Sequence, residues 1–267
     1  MDKLNILAPT EQRPPGNSSA HVTTSSPHHL ITHLLIPALV LMVAGCHQKT
    51  PQSAPAVPHG FVAPRLVAPL FDPHLADQRL EGPERDRWQQ PTKIVEALQL
   101  RSGATVADVG CGTGYLMPYL SRAVGPTGRV LSEEIQEEFM PGLRQRAKGL
   151  GNVEVNLGTA EDPNLLTRNV DTFILLTVYH EVDHPVDFLK ALRKYGRPDA
   201  RLAIIDFDAN RHGEPPAPDG HQVAESAVIQ EAAAAGWQLT KRHEFIPSQF
   251  FLVFRQSGRQ LSISTGH

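Results

Sequence analysis

A glycine-rich turn in the middle of the chain has the residues to hold a nucleotide-like ligand. Residues 106–109 are typical of a strand buried in a parallel sheet, and Asp108 places a carboxylate at the end of that strand. The turn that follows consists of Gly110, Cys111, Gly112, Thr113 and Gly114. Its glycines allow a sharp bend and a close approach by a ligand, because no Cβ stands in the way. The helix expected next presents unpaired N–H groups and a positive dipole end, so the pattern predicts a cradle for a nucleotide-like cofactor.

A second polar group follows the predicted strand over residues 170–176 and consists of Thr177, Tyr179, His180 and Glu181. Ligands of an open α/β sheet bind beyond the carboxyl ends of its strands, so we expect these side chains to face the reacting centre. An imidazole titrates near neutral pH, which makes His180 the first candidate for a general base. Glu181 could orient His180 or bind a cationic acceptor, and Tyr179 could pack on the substrate. A structural hydrogen-bonding role is the alternative for these residues.

Residues 180–184 also match the H-E-x-x-H pattern of zinc proteases. That chemistry needs both histidines on one face of a continuous helix, one turn apart. Here the pattern follows a strand and is cut off by Pro185, and no third ligand is evident in the sequence. We therefore predict no metal ligands, and metal-dependent peptide cleavage is the weakest alternative.

The acid and the glycines together resemble motif I of the class I S-adenosylmethionine (SAM) methyltransferases, D-x-G-x-G-x-G. A dinucleotide site would need its third glycine further along the chain, and a turn without a ligand is the remaining alternative. The resemblance covers roughly residues 80–256 and is closest to small bacterial enzymes related to the ubiquinone/menaquinone C-methyltransferase group. It implies that SAM is the cofactor, that Asp108 faces its methionine amino end, and that Thr177 lies near its methyl group.

The same resemblance implies the ribose and adenine contacts. Residues 128–134 are typical of a second strand that ends in acids, and an acid there suits two hydrogen bonds to ribose hydroxyls. Alignment with the family pattern makes Glu134 the ribose ligand, with Glu133 in place of an apolar residue, and the choice between them stays open. In similar methyltransferases the loop after the third strand lies along the adenine, where one acid accepts the exocyclic amine. The candidates in that loop are Thr159, Ala160, Glu161 and Asp162.

The alternation of strands and helices predicts an α/β fold with a doubly wound, mostly parallel, seven-stranded sheet and a C-terminal antiparallel hairpin. Strands are expected at residues 106–109, 128–134, 152–157, 170–176, 201–206, 237–246 and 250–254. Helices are expected at residues 91–100, 115–124, 135–150, 185–195 and 224–235. Trp88 is either part of a lid over the cofactor or a core anchor. The irregular segment 212–220 either shapes the acceptor pocket or is a surface loop.

The first 60 residues have a different composition from the rest of the chain. Residues 34–45 are almost wholly apolar, which is too short a run to span a bilayer of ~30 Å but suits the core of a signal peptide. The sequence Val-Ala-Gly-Cys at residues 43–46 resembles the bacterial lipoprotein box, which implies a lipidated Cys46. We expect a signal peptide at 1–45, a flexible tether at 46–78, the methyltransferase domain at 79–257 and a disordered tail at 258–267. The protein would then be anchored in the cell envelope, whereas a start site assigned too far upstream would make it cytoplasmic.

Composition narrows the range of functions. The chain has 267 residues and 40% hydrophobic content, enough to bury one sizeable core. A net charge of −3 and an aromatic content of 6% favour neither a basic face nor a stacking platform for nucleic acid. The resemblance to the class I methyltransferases, which composition does not contradict, implies a SAM-dependent methyltransferase with a small-molecule acceptor of a lipid or quinone-like kind. The alternative is a lipid-anchored, non-catalytic binding domain that retains this fold.

Overall fold

A computed structural model describes residues 67, 69–75 and 79–257 of the chain. The expected signal peptide, Cys46, most of the expected tether and the expected tail lie outside the described residues. The helices are α1 (Pro83–Gln89), α2 (Pro91–Leu98), α3 (Met117–Val124), α4 (Met140–Ala147), α5 (Pro185–Tyr195) and α6 (Glu225–Ala234). Short 3₁₀ helices lie at Pro73–Leu75, Glu137–Phe139 and Tyr179–Glu181. Within these described ranges, no helix combines the length and the apolar character needed to cross a bilayer.

The sheet has seven strands in the order β3-β2-β1-β4-β5-β7-β6. They are β1 (Thr105–Val109), β2 (Arg129–Glu134), β3 (Val153–Leu157), β4 (Val170–Leu176), β5 (Gly196–Phe207), β6 (Trp237–His243) and β7 (Gln249–Gln256). The first five strands pair in parallel, whereas β7 is antiparallel to both β5 and β6. The predicted fold class, including the closing antiparallel pair, is confirmed.

Alternate residues of the central strands bury against helices on opposite faces of the sheet. Phe173 and Leu175 of β4 belong to an apolar cluster with buried residues of α5 and α6. Ile174 and Leu176 belong to a second cluster with buried residues of α2 and α3. This is the period-two pattern of a strand covered on both faces, and it explains why the sequence of β4 is an almost continuous apolar run.

Several boundaries differ from those expected. The predicted helix over residues 135–150 begins only at Met140, because the Glu134 carboxylate accepts the backbone N–H groups of Ile135 and Gln136 and holds them in a turn. Strand β5 begins at Gly196 instead of residue 201. Helix α1 was not expected, and it brings charged and aromatic side chains to the carboxyl ends of the parallel strands.

Candidate functional site

A cavity of about 510 Å³ lies at the carboxyl ends of the parallel strands. This is the position where an open α/β sheet binds its ligands, and the volume is that of a small-molecule site. The apolar part of its wall comes from Leu70, Phe71, Leu80, Trp88, Val178, Phe188, Phe207, Pro215, Pro216 and Pro218. The polar part comes from Arg79, Arg85, Cys111, Glu133, Glu134, Gln136, Thr159, Thr177, His180, Glu181, Asp183 and His221. Residues 69–75, which the sequence analysis assigned to the tether, therefore contribute Leu70 and Phe71 to this wall.

The glycine turn gives the cavity a wall of bare backbone. Gly110 and Gly112 have φ values of 66° and 55°, and both line the cavity together with Cys111. A Cβ added at Gly110 would lie 2.5 Å from Cγ2 of Val178, so only glycine fits there. Burial, followed by the charge of Asp108, raises the pKa of the Cys111 thiol, which makes it a poor nucleophile at neutral pH.

The last two residues of the turn do not reach the cavity wall. A Cβ at Gly114, whose φ is 78°, would lie 2.9 Å from side-chain atoms of Leu143 and Met117, so this glycine lets α3 and α4 pack closely. Thr113 is also absent from the wall. The predicted cofactor contacts of Thr113 and Gly114 therefore have no counterpart in the shape of the cavity.

Asp108 lies behind the wall, with 3% of its surface exposed. Burial raises the pKa of its carboxyl to about 7, although the charge of Arg85 acts in the opposite direction. Arg85 is itself buried in the cavity wall, where it donates to the carbonyl of Leu80 at 2.6 Å and lies 4.0 Å over the ring of Tyr115. A cationic ligand group near Asp108 would favour the ionised carboxylate.

The two glutamates that end β2 have different surroundings. Glu134 accepts the N–H groups of Gly112, Ile135 and Gln136 at 2.8–3.0 Å, so its carboxylate ties the glycine turn to the start of the next segment. Glu133 is 1% exposed, and its Oε2 accepts the N–H of Gly110 at 3.1 Å. Its Oε1 has no hydrogen-bond partner among the described residues. Burial raises the pKa of Glu133 to about 8, so it is mostly a neutral acid at pH 7.

The loop after β3 reaches the cavity only through Thr159 and Ala160. Oγ1 of Thr159 accepts the N–H groups of Glu161 and Asp162. Asp162 accepts the hydroxyl of Tyr195 at 2.6 Å, which turns its carboxylate away from the cavity, and Glu161 is exposed. Neither of the two acids predicted for the adenine amine lines the cavity: the Asp162 carboxylate is held by Tyr195, and Glu161 is exposed to solvent.

The residues after β4 diverge in direction. Tyr179 is fully buried, and its hydroxyl donates to Glu231 of α6 at 2.7 Å, so it packs in the core and does not line the cavity as the sequence analysis had expected. Thr177 lines the cavity with a φ of 57°. Its Oγ1 accepts from Gln249 at 3.1 Å, and Gln249 in turn accepts from Gln89 of α1 at 2.6 Å. This chain of amides holds α1 against the strand ends.

His180 lies between two carboxylates and a second histidine. Its Nδ1 lies 2.7 Å from Oδ1 of Asp206, and its backbone N–H donates to Oδ2 of the same carboxylate at 3.0 Å. Its Nε2 lies 3.2 Å from Nδ1 of His221 and 3.7 Å from Oε1 of Glu181. Burial disfavours the charged ring, but Asp206 and, to a smaller extent, Glu181 together outweigh that penalty and raise the pKa of His180 to about 10. A role as general base, which stays a prediction, would require this proton to leave first.

His221 was missed by the sequence analysis. Its pKa is lowered by burial and then by the charge of His180. His221 lies in the segment after β5, and this segment returns to the sheet through an isolated β-bridge between Asp208 and Val223. Arg85 and Asp206 were missed as well, since nothing in their spacing links them to the glycine turn. The second histidine of the H-E-x-x-H pattern, His184, has a side chain that is 76% exposed and lies outside the cavity wall.

Comparison with known proteins identifies relatives for most of the described chain. Residues 100–244 match the family model described as a methyltransferase domain. The crystal structure of a SAM dependent methyltransferase from Aquifex aeolicus matches with a TM-score of 0.65 and 31% identity, over 70% of this chain and 100% of that one. The 2-phytyl-1,4-naphtoquinone methyltransferase of Thermosynechococcus vestitus is 35% identical over 144 residues, which are 53% of this chain and 61% of the relative. The ubiquinone/menaquinone biosynthesis C-methyltransferase UbiE of Pseudomonas entomophila is 30% identical over 53% of this chain and 55% of its own length. The chain thus spans less than two thirds of the length of these two curated relatives.

Proposed function

The chain belongs to the methyltransferase-domain family, and on this premise we propose that it transfers the methyl group of SAM to a small, largely apolar acceptor. The observation that carries the proposal is one continuous cavity. The backbone of Gly110 and Gly112 forms one part of its wall, and His180 and Glu181 form another. Such a cavity brings a cofactor on the glycine turn into contact with an acceptor beside the histidine.

The residues present fit SAM. Gly110 and Gly112 line the cavity without side chains of their own, so a ligand can approach the backbone of the turn closely. Beside it, Glu133 has a buried oxygen with no partner among the described residues, and Glu134 presents a second carboxylate. We assign the ribose hydroxyls to these two acids and the adenine edge to Thr159 and Ala160. When bound, SAM would supply a sulfonium methyl that the acceptor atom attacks in line, so that the bond to sulfur breaks and S-adenosylhomocysteine is the leaving group.

The remaining wall suits an aromatic or quinone-like acceptor. Trp88 of α1 and Phe207 at the end of β5 lie with ring centroids 5.9 Å apart, and both face the cavity. Pro215, Pro216 and Pro218 of the segment after β5 extend the same apolar surface. One curated relative is named a naphtoquinone methyltransferase and another a ubiquinone/menaquinone biosynthesis methyltransferase, which agrees with this chemistry. The polar end of the cavity, formed by His180 and Glu181, would bind an oxygen atom of the acceptor.

This chain's own contribution to the reaction would be alignment and desolvation. Because a sulfonium methyl is already activated, holding the acceptor atom in line with it and excluding water can supply much of the rate enhancement. His180 is held by Asp206 through both its backbone N–H and its ring, so its Nε2 has a fixed position. We propose that this Nε2 orients the acceptor oxygen. The non-catalytic binding domain is less favoured, because the cavity wall carries polar groups, His180 and Glu181, beyond the glycine turn.

The test combines cofactor binding and turnover on the same protein. We expect calorimetry to show SAM binding that Gly110→Ala abolishes, and mass spectrometry to show S-adenosylhomocysteine formation with quinol-type acceptors. His180→Ala should retain SAM binding and lose turnover, whereas His184→Ala, an exposed histidine nearby, should retain both. SAM binding without turnover on any acceptor would instead support the binding domain. Absence of SAM binding by the folded protein would refute the proposal.

We also propose that the protein is attached to a membrane through a lipid on Cys46. The support is the apolar run at residues 34–45 followed at once by a cysteine. A lipid anchor would keep the domain close to apolar acceptors without a membrane-spanning helix. Mass spectrometry of the membrane fraction should find a chain that begins at a diacylglyceryl-modified Cys46, and Cys46→Ser should move to the soluble fraction. Recovery of the wild-type chain with residues 1–45 intact and Cys46 unmodified would refute this assignment.

A further inference from the structure

We propose that His180, Glu181 and His221 form a binding site for a divalent first-row transition-metal ion at the acceptor end of the cavity. The inference rests on the proposed function only for the role of the ion, which would be to hold the acceptor oxygen. The site itself is defined by the distances between its three ligand atoms and by their position in the cavity wall. His180 and Glu181 are neighbours in a 3₁₀ turn after β4, and His221 arrives from the segment after β5.

The three ligand atoms form a triangle of the right size. Nε2 of His180 lies 3.2 Å from Nδ1 of His221 and 3.7 Å from Oε1 of Glu181, and the last two atoms are 3.9 Å apart. A circle through these three points has a radius of about 2.1 Å, which equals the bond lengths that Zn²⁺ makes to histidine nitrogen and carboxylate oxygen. An ion with bonds of about 2.2 Å would lie about 0.7 Å out of the plane of the triangle. In position, the ligand atoms therefore need no shift larger than a few tenths of an ångström. The proton on the His180 ring would be released when Nε2 binds the ion.

The surroundings of His180 are those of a metal-binding histidine. Asp206 is fully buried and lies at 2.7 Å from Nδ1 of His180, so it holds the ring with Nε2 directed toward the other two ligands. The same carboxylate accepts the backbone N–H groups of His180 and Phe207, which fixes its own position. A histidine whose second nitrogen is held by a carboxylate is the usual arrangement at zinc and iron sites.

The open side of the triangle faces the cavity. All three ligands line the cavity wall, and the Glu181 and His221 side chains are 10% and 19% exposed. Two histidines and one carboxylate leave coordination positions for an outer ligand, as in catalytic zinc and non-haem iron sites. With the ion bound, the contact to the acceptor oxygen would pass from Nε2 of His180 to the ion. An acceptor hydroxyl bound there would have its pKa lowered, would release its proton to solvent and would be held as an oxyanion beside the cofactor. This arrangement favours phenol- or quinol-type acceptors over acceptors that lack an oxygen next to the methylated atom.

The site differs from the zinc-protease pattern in the same stretch of sequence. His184, the second histidine of that pattern, lies 3.4 Å from its neighbour Asp183 at the surface, and its side chain is 76% exposed. The ligand that replaces it is His221, which is 41 residues from His180 in the sequence. His184→Ala is therefore a matched control, because it removes a histidine of the same motif without touching the triangle.

The experiment measures metal binding directly on the full chain, purified without a polyhistidine tag. Wild type, His221→Ala, Glu181→Gln and His184→Ala are titrated with Zn²⁺ by calorimetry, and bound metal is counted by mass spectrometry after dialysis. Co²⁺ is then added as a probe, since its visible absorption reports coordination by nitrogen and oxygen ligands. We expect wild type and His184→Ala to bind one more ion than the other two variants, with an affinity loss of at least about 100-fold in those variants.

Several outcomes would overturn the inference. Zn²⁺ uptake that is the same in wild type and His221→Ala would place the metal elsewhere, and no retained ion in wild type would exclude the site. His221 is part of an irregular segment, so its loss should leave the urea-unfolding midpoint unchanged, and Glu181→Gln checks the result independently. SAM titrations on the same samples separate the two proposals. SAM binding without metal binding refutes only the metal site, whereas metal binding without SAM binding refutes only the proposed function.

Discussion

The charge state of Glu133 should make the stability of this protein depend on pH in a way that one substitution removes. Burial raises the pKa of this carboxyl from 4.5 to about 8 in the folded protein, whereas in the unfolded chain it is solvated. The folded state therefore holds the proton more tightly. The stability that Glu133 contributes is fully present below pH 4.5 and is lost as the pH rises through about 8.

The size of the effect follows from the shift of the pKa. At 1.36 kcal/mol per unit, a rise from 4.5 to about 8 corresponds to about 5 kcal/mol in total, and about 4 kcal/mol of it falls between pH 5 and 9. Glu133→Gln keeps the shape of the side chain and an oxygen for the N–H of Gly110, and it cannot ionise. We expect the free energy of unfolding of the variant, minus that of wild type, to increase by about 1.4 kcal/mol per pH unit between pH 5 and 8 and then to level off.

The assay is urea unfolding at pH 5, 6, 7, 8 and 9, followed by tryptophan fluorescence, to which Trp88 and the buried Trp237 both contribute. Taking the difference between two proteins at each pH cancels the titration of all other groups that the substitution leaves unchanged. Glu138→Gln is the control, because it removes an exposed carboxylate from the adjacent 3₁₀ helix, and its difference curve should be flat. A flat curve for Glu133→Gln as well would refute the conclusion that this buried carboxyl is neutral at pH 7.

Three further predictions concern the glycine turn and its acids. Gly110→Ala would place a Cβ 2.5 Å from Val178 at a residue whose φ is 66°, so we expect it to lower the free energy of unfolding in urea by at least about 1–3 kcal/mol. Gly142→Ala is the control: the space around Gly142 in α4 is open, and this change should raise the free energy of unfolding by about 0.5–1 kcal/mol. Equal stabilities would contradict the strain at Gly110. Asp108 has a pKa of about 7, and its ionised form should favour a cationic cofactor. Calorimetry should therefore find SAM binding about tenfold weaker at pH 6 than at pH 8. Asp108→Asn should remove this dependence on pH. Glu134→Gln should weaken SAM binding more than Glu133→Gln, because the Glu134 carboxylate accepts three backbone N–H groups around the glycine turn and Glu133 accepts only one. The reverse order would identify Glu133 as the ribose ligand.

Much of the fold was accessible from local patterns. The apolar run of β4 and the alternation of strands and helices predict a sheet with two covered faces, since side-chain direction in a strand is a local property. The bend at Gly110 and Gly112 is local as well, because a positive φ depends on the absence of a Cβ at that residue. Helix α1 escaped prediction because it is seven residues long and has a polar sequence with little apolar periodicity.

The composition of the site depended on contacts between distant segments. Asp162 is withdrawn from the cavity by Tyr195, and Tyr179 is drawn into the core by Glu231, at separations of 33 and 52 residues. His221 joins His180 only because the segment after β5 turns back and bridges to the sheet. The path of the chain, and competing hydrogen bonds between segments that are distant in sequence, decide which side chains line the same cavity. Neither can be recognised from the spacing of the residues. The sequence thus determines the elements and the glycine cradle, whereas the tertiary structure alone decides which polar groups meet beside it.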